Sequence, residues 1–123
     1  MSDTQQTVSD LIGLAETSSR LVARGKEAFD SDEAIRLAAE AVLHKIGEAV
    51  SRLPDEFLQQ HPEVSWRAMR GMRNVVAHQY EQMDYQLIWN ALAHRLPPEA
   101  EAWRSILDDD AAANDIPAIS GSW

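Results

Sequence analysis

Cysteine is absent from these 123 residues, so neither a disulfide framework nor a thiolate metal site is available. That absence fits a reducing, cytoplasmic setting. No apolar run approaches the ~20 residues that a membrane helix needs. Residues 1–10 are polar and lack the basic and then apolar stretches of a secretory leader. Positive charge is scarce: 11 Lys and Arg stand against 20 Asp and Glu, for a net charge of −9. Broad, nonspecific binding to duplex DNA relies on many cationic contacts to phosphate, and this balance argues against it. A small local anion site and docking with a basic partner both remain open. The five glycines form no phosphate-binding loop and no Gly-x-Ser-x-Gly elbow. None of the four histidines pairs with another at the i, i+4 spacing of a helical zinc site. Neither a dedicated metal site nor a cofactor is expected.

What is present is helical periodicity. Val8, Leu11, Ile12, Ala15 and Val22 recur at three- and four-residue steps and predict a helix over 7–24, stopped by Gly25. Asp30 and Glu33 stand at capping-box spacing before a second stripe of Ile35, Ala38, Val42, Ile46, Ala49, Val50 and Leu53, which ends at Pro54. Gly47 lies inside that helix at a cost of about 1 kcal/mol relative to alanine. Close approach of another backbone would compensate for it. A short turn is expected over 55–60. A helix capped by Ser65 follows, carrying Trp66, Met69, Met72, Arg73 and Val76 and fraying near His78. Asp84 caps a further helix with Tyr85, Ile88, Trp89, Leu92 and Leu96, broken by Pro97 and Pro98. The last stripe is Ala102, Trp103, Ile106 and Leu107. The expectation is an all-α, up-and-down bundle of four to five helices over residues 1–107, with an acidic, disordered tail over 108–123. Without that tail the balance is 16 acidic to 11 basic residues. Ala39, Ala41 and Leu43 give the second helix more apolar surface than one face needs. That pattern suits a two-fold dimer, or a central helix buried on all sides within one chain.

One window departs from the acidic background. Residues 64–80 hold Arg67, Arg70, Arg73 and His78 and no carboxylate, making a basic island and a candidate anion site. Within it, Arg73-Asn74-Val75-Val76-Ala77-His78-Gln79-Tyr80 combines a fixed cation, a group that titrates near neutral pH and a phenol. Five residues apart on a regular helix, Arg73 and His78 are offset by ~7.5 Å and ~140°. They can meet on one phosphate where the helix ends near His78. Asn74 and His78 are i, i+4 and share a face. Taken alone, the same spacing also fits a surface arginine and a histidine that satisfies helix-terminal carbonyls.

The larger set of motifs is more specific. Ile46-Gly47-Glu48-Ala49, Leu53-Pro54-Asp55, His61-Pro62-Glu63, Trp66, the run from Gly71 to Tyr80, Asp84 and Ile88-Trp89 occur in an order that resembles the HepT branch of the HEPN superfamily. The resemblance spans residues 32–98. It implies a HEPN-like helical bundle that dimerises with its two motifs face to face. It also implies a metal-independent endoribonuclease, the toxin of a toxin–antitoxin pair, partnered by a nucleotidyltransferase antitoxin of the MNT type that adds AMP to the motif tyrosine. By position, Arg73 and His78 would be catalytic, Asn74 a supporting polar residue and Tyr80 the AMP acceptor. Arg67 and Arg70 would bind RNA. Relatives often follow the tyrosine with Phe-Gly; here Glu81-Gln82 follows Tyr80, which places a carboxylate beside the hydroxyl that would be modified. The competing expectation is a non-catalytic helical subunit that presents a nucleotide or polynucleotide to a nucleotidyltransferase.

Overall fold

The computed structural model describes residues 2–77 and 84–120, apart from the side chains of residues 76, 77 and 114–120. Among the described residues there is no strand. The chain order is α1 (Asp3–Ala23), α2 (Lys26–Ser31), α3 (Glu33–Ser51), α4 (Asp55–Gln60), α5 (Trp66–Arg70), α6 (Met72–Ala77), α7 (Tyr85–Asn90), a π-helical turn (Ala91–Arg95) and α8 (Leu96–Ser120). The all-α class is as expected, but the pieces outnumber the four or five helices expected. Two short helices were added or split off at turns, and one expected break did not occur.

Local chemistry explains each boundary. α1 begins at Asp3 rather than Thr7 because Ser2 and Gln5 form a capping box: the Gln5 N–H donates to Ser2 Oγ at 3.1 Å, and the Ser2 N–H donates to Gln5 Oε1 at 2.9 Å. Gly25 separates α1 from α2 with φ of 93°, a left-handed conformation that only glycine adopts freely. The expected capping box between Asp30 and Glu33 is not formed. Asp30 belongs to α2 and holds Lys26 Nζ at 2.8 Å, while Asp32 caps α3 by accepting the Ala34 N–H at 2.9 Å. The short α2 was not foreseen from the sequence, yet it inserts Phe29 into the core, 5.3 Å from the Trp89 ring and 6.3 Å from that of Tyr85. Asp84 caps α7 as expected, accepting the Gln86 N–H at 3.0 Å.

Pro97 and Pro98 do not break the chain's helical course. In the π turn the Leu96 N–H reaches back to the Ala91 carbonyl, five residues away. α8 then restarts at Leu96, so both prolines fall in its first turn, where backbone N–H groups have no intrahelical acceptor to lose. The core ends at Ile106, and helical backbone continues to Ser120. Beyond Asp108 that backbone runs through three alanines (Ala111, Ala112, Ala113) of high helix propensity.

α3 is the central element and touches α1, α2, α5, α6 and α7. It buries Ile35, Ala39, Val42, Leu43, Ile46, Gly47, Ala49 and Val50. Ala39 and Leu43, which suggested a second apolar side, are thus covered inside a single chain, whereas Ala41, His44 and Lys45 stay exposed. Another wall of the core is Ile88, Leu92, Leu96, Ala100, Trp103 and Ile106 along α7, the π turn and α8. Fully burying each large apolar side chain is worth about 1.5–3 kcal/mol. Contacts at the helix ends add direction: Tyr85 Oη donates to Glu40 Oε2 at 3.4 Å, and the Arg36 guanidinium sits 5.2 Å above the Tyr85 ring.

The tightest contact is at Gly47. A Cβ built there would lie 2.7 Å from the Arg73 backbone nitrogen, 2.8 Å from Arg73 Cβ and 2.9 Å from the Arg70 carbonyl oxygen. Two of these three are backbone atoms and cannot swing aside. The close approach expected from the sequence is therefore present, and it fixes α3 against the start of α6. Gly13, on the exposed side of α1, has open space around it. The two glycines should respond in opposite senses to alanine. Gly47→Ala should destabilise the protein by about 1–2 kcal/mol, because overpacking outweighs the gain in helix propensity. Gly13→Ala should stabilise it by about 0.5–1 kcal/mol. Urea unfolding of both variants checks the pair, and equal signs would contradict this packing.

Candidate functional site

Arg73 sits at the junction of three helices. It is the second residue of α6, which starts at Met72 directly after Gly71, the residue that separates α5 from α6. The Gly71 carbonyl accepts the N–H groups of Asn74 at 2.9 Å and Val75 at 3.3 Å, which starts the new helix. Trp66 and Met69 from α5 and Met72 from α6 are buried and anchor the segment from below. Trp66 also donates its indole N–H to the His61 carbonyl at 2.8 Å and lies 5.9 Å from the Phe57 ring, which ties α5 to α4. Ser65 occupies the N-cap position of α5, but its side chain makes no capping bond. Its N–H donates instead to Glu99 Oε2 of α8 at 3.1 Å.

With its backbone held against Gly47, Arg73 sends its guanidinium outward. Nη1 donates to Glu48 Oε1 at 3.1 Å, with the two side chains 38% and 45% exposed. The pair is open to solvent, so an anion can approach the arginine. Asn74 is exposed on the next position of α6. Arg67 and Arg70 are exposed on α5 and share a face at i, i+3. Among the described residues the ion pairs are Lys26–Asp30, His61–Glu63 and Arg73–Glu48, so neither Arg67 nor Arg70 is neutralised by one of them. The fold thus brings Arg67, Arg70, Arg73 and Asn74 onto two consecutive short helices. His78 and Tyr80, the other two residues singled out in the sequence, lie outside the described residues.

One member of the site escaped sequence reasoning. The window 64–80 contains no carboxylate, yet in space Glu48 of α3 supplies one to Arg73. Glu48 stands beside Gly47 in the motif, and the need for close backbone approach at Gly47 was the available clue. The other histidines are elsewhere: His44 is exposed on α3, His94 is exposed on the π turn, and His61 caps α4 with its ring 4.7 Å from that of Phe57. Among the described residues no group of His, Asp and Glu converges as metal ligands, and no helix is long and apolar enough to cross a membrane.

Comparison with known proteins gives a consistent picture. The family model described as "Ribonuclease HepT-like" matches residues 12–106. A Methanocaldococcus jannaschii protein named "Putative RNase MJ0127" is 31% identical over 81 residues, which are 66% of this chain and 67% of that protein. A Caldanaerobacter subterraneus protein named "Putative RNase TTE0752" is 33% identical over 84 residues, 68% of this chain and 75% of its own length. A Thermococcus cleftensis protein named "Probable ribonuclease HepT" is 30% identical over 95 residues, 77% of this chain and 84% of that one. No solved structure matches the chain.

The geometry separates the two roles Arg73 could have. A solvent-open ion pair contributes little to folding, typically about 0.2–1 kcal/mol. Arg73→Ala should accordingly lower stability by less than about 1 kcal/mol in thermal or urea unfolding. A loss several times larger would make Arg73 a structural residue and not a residue held out for a ligand.

Proposed function

This chain belongs to the HepT-like ribonuclease family, and from that premise we propose that it is a metal-independent endoribonuclease, the toxin of a toxin–antitoxin pair. The observation that carries the reading is Arg73: its backbone is wedged against Gly47, and its guanidinium opens to solvent. A cation fixed in this way is suited to charge that develops on a phosphate in a transition state.

The reaction is attack of a ribose 2′-hydroxyl on the adjacent phosphorus. The 2′-oxygen forms a bond to phosphorus, and the bond from phosphorus to the 5′-oxygen of the next nucleotide breaks. The products carry a 2′,3′-cyclic phosphate and a 5′-hydroxyl. His78 takes the 2′ proton or supplies one to the leaving oxygen, a task that suits an imidazole near neutral pH. In a two-fold dimer with the motifs face to face, two His78 side chains divide these tasks. Arg73 stabilises the phosphorane-like charge, Asn74 supports, and Arg67 and Arg70 hold flanking phosphates. Single-stranded RNA is the substrate, because its sugar can rotate for in-line attack.

Silencing is by a nucleotidyltransferase of the MNT type. The Tyr80 oxygen attacks the α-phosphorus of ATP, pyrophosphate leaves, and AMP remains esterified to the phenol. This adds a negative charge and a bulky adenosine close in sequence to Arg73, which excludes substrate.

Purified protein should digest single-stranded RNA in EDTA and leave cyclic phosphate ends. His78→Ala should cut the rate by at least about a hundredfold without loss of helical content by circular dichroism. No cleavage by protein shown by intact mass to be unmodified at Tyr80 would move the chain to the other class, a nucleotide- or polynucleotide-binding subunit. In cells that also make the nucleotidyltransferase, wild type should gain AMP and Tyr80→Phe should not. A Tyr80→Phe protein that the partner still silences would show that binding alone neutralises the toxin.

A further inference from the structure

We propose that Glu48 is a positioning residue for Arg73, an assignment that rests on the ribonuclease reading of the same site. One turn of α3 holds Arg73 twice. Gly47 receives its backbone nitrogen and Cβ, and Glu48, the next residue, receives its guanidinium through Nη1 at 3.1 Å. The first contact sets where the side chain starts and the second sets where it ends. Arginine has several rotatable bonds, and an exposed one would otherwise sample many rotamers.

The choice of partner is informative. Arg52, the C-cap of α3, lies four residues after Glu48, the favourable order for a glutamate–cation pair along a helix. Lys45 lies one turn before it. Glu48, Lys45 and Arg52 line the same open groove between α1 and α3, together with Asp10 and Thr17. Among the described residues the Glu48 carboxylate nevertheless bonds neither Lys45 nor Arg52 but Arg73, 25 residues away. The contact is also one-pronged. Among the described contacts only Nη1 is engaged, which leaves the Nη2 and Nε donors of a planar fork for a phosphate. A bidentate carboxylate would have occupied the edge the substrate needs.

Glu48 acts here through Arg73 and touches no reacting atom. Its carboxylate stands near the phosphate's binding place, so it aids orientation while slightly opposing substrate binding. Loss of the side chain should therefore appear in kcat and not as a rise in KM. An oxygen acceptor at the same place should preserve the orientation without the charge.

The test compares wild type, Glu48→Ala, Glu48→Gln and Arg73→Ala as full chains on one single-stranded RNA in EDTA, with ¹⁵N relaxation of the arginine Nε–Hε groups measured in parallel. Glu48→Ala should lower kcat about tenfold with KM unchanged or reduced. Glu48→Gln should keep about half or more of kcat. The Arg73 Nε–Hε group should lose order in Glu48→Ala and keep it in Glu48→Gln. Cleavage that needs Arg73 but is unimpaired in Glu48→Ala overturns the positioning role and leaves the ribonuclease reading standing. Glu48→Gln falling as far as Glu48→Ala overturns it as well. Wild type without cleavage, or Arg73→Ala as active as wild type, overturns the ribonuclease reading. In either case the Arg73 relaxation judges the contact itself, and unchanged order in Glu48→Ala overturns it.

Discussion

The contact on which the site depends is the one made possible by a missing side chain. At Gly47 the backbones of α3 and α5–α6 approach so closely that a methyl group would collide with the Arg73 nitrogen and the Arg70 carbonyl. Helix pairs are usually held apart by the side chains between them, at 8–10 Å between axes. Removing one side chain lets the arginine-bearing segment lie directly on the most buried helix of the bundle. A mid-helix glycine costs about 1 kcal/mol in propensity, and the rest of α3 offsets this with Ile46, Ala49 and Val50 in the core.

Around that contact the other elements act as supports. Trp66, Met69 and Met72 anchor the underside of α5 and α6, and Gly71 separates them so that α6 starts with its own hydrogen bonds. Arg67 and Arg70 are left exposed, while Arg73 is led toward Glu48. The chain carries a net charge of −9, so a local positive potential can exist only where the fold keeps carboxylates at a distance or uses them deliberately. The second occurs here: Glu99 is turned to the Ser65 N–H, and Glu48 is turned to Arg73.

Much of this was legible in the sequence, for definite reasons. The stripes of α1, α3 and α8 are long, so Val8, Leu11, Val42, Ile46, Trp103 and Ile106 could be placed in the core from their period alone. Gly47 stood out because it interrupts a strong helix. What was missed was short or non-local. α2 has six residues and one buried side chain, Phe29, too few for periodicity to register. Pro97 and Pro98 read as a break, but they fall in the first turn of α8, directly after a π turn, and the helical course continues. The carboxylate beside Arg73 comes from another helix, and no local window could contain it. The two-sided apolar pattern of α3 has an intramolecular cause in Ala39 and Leu43, so it is not by itself a reason for a dimer.

The family points to ribonucleolytic cleavage, and the fold leaves open to solvent the cation that we propose for such chemistry. The claim joining them is that the α3–α6 approach at Gly47 is what makes Arg73 productive. Its most direct test is the rate of metal-free cleavage of single-stranded RNA by Gly47→Ala, measured well below its unfolding temperature and beside wild type. The account predicts that the folded variant cleaves at least about tenfold more slowly, because displacement of the arginine by a fraction of an ångström to an ångström spoils its alignment. A folded Gly47→Ala that cleaves at the wild-type rate would contradict it.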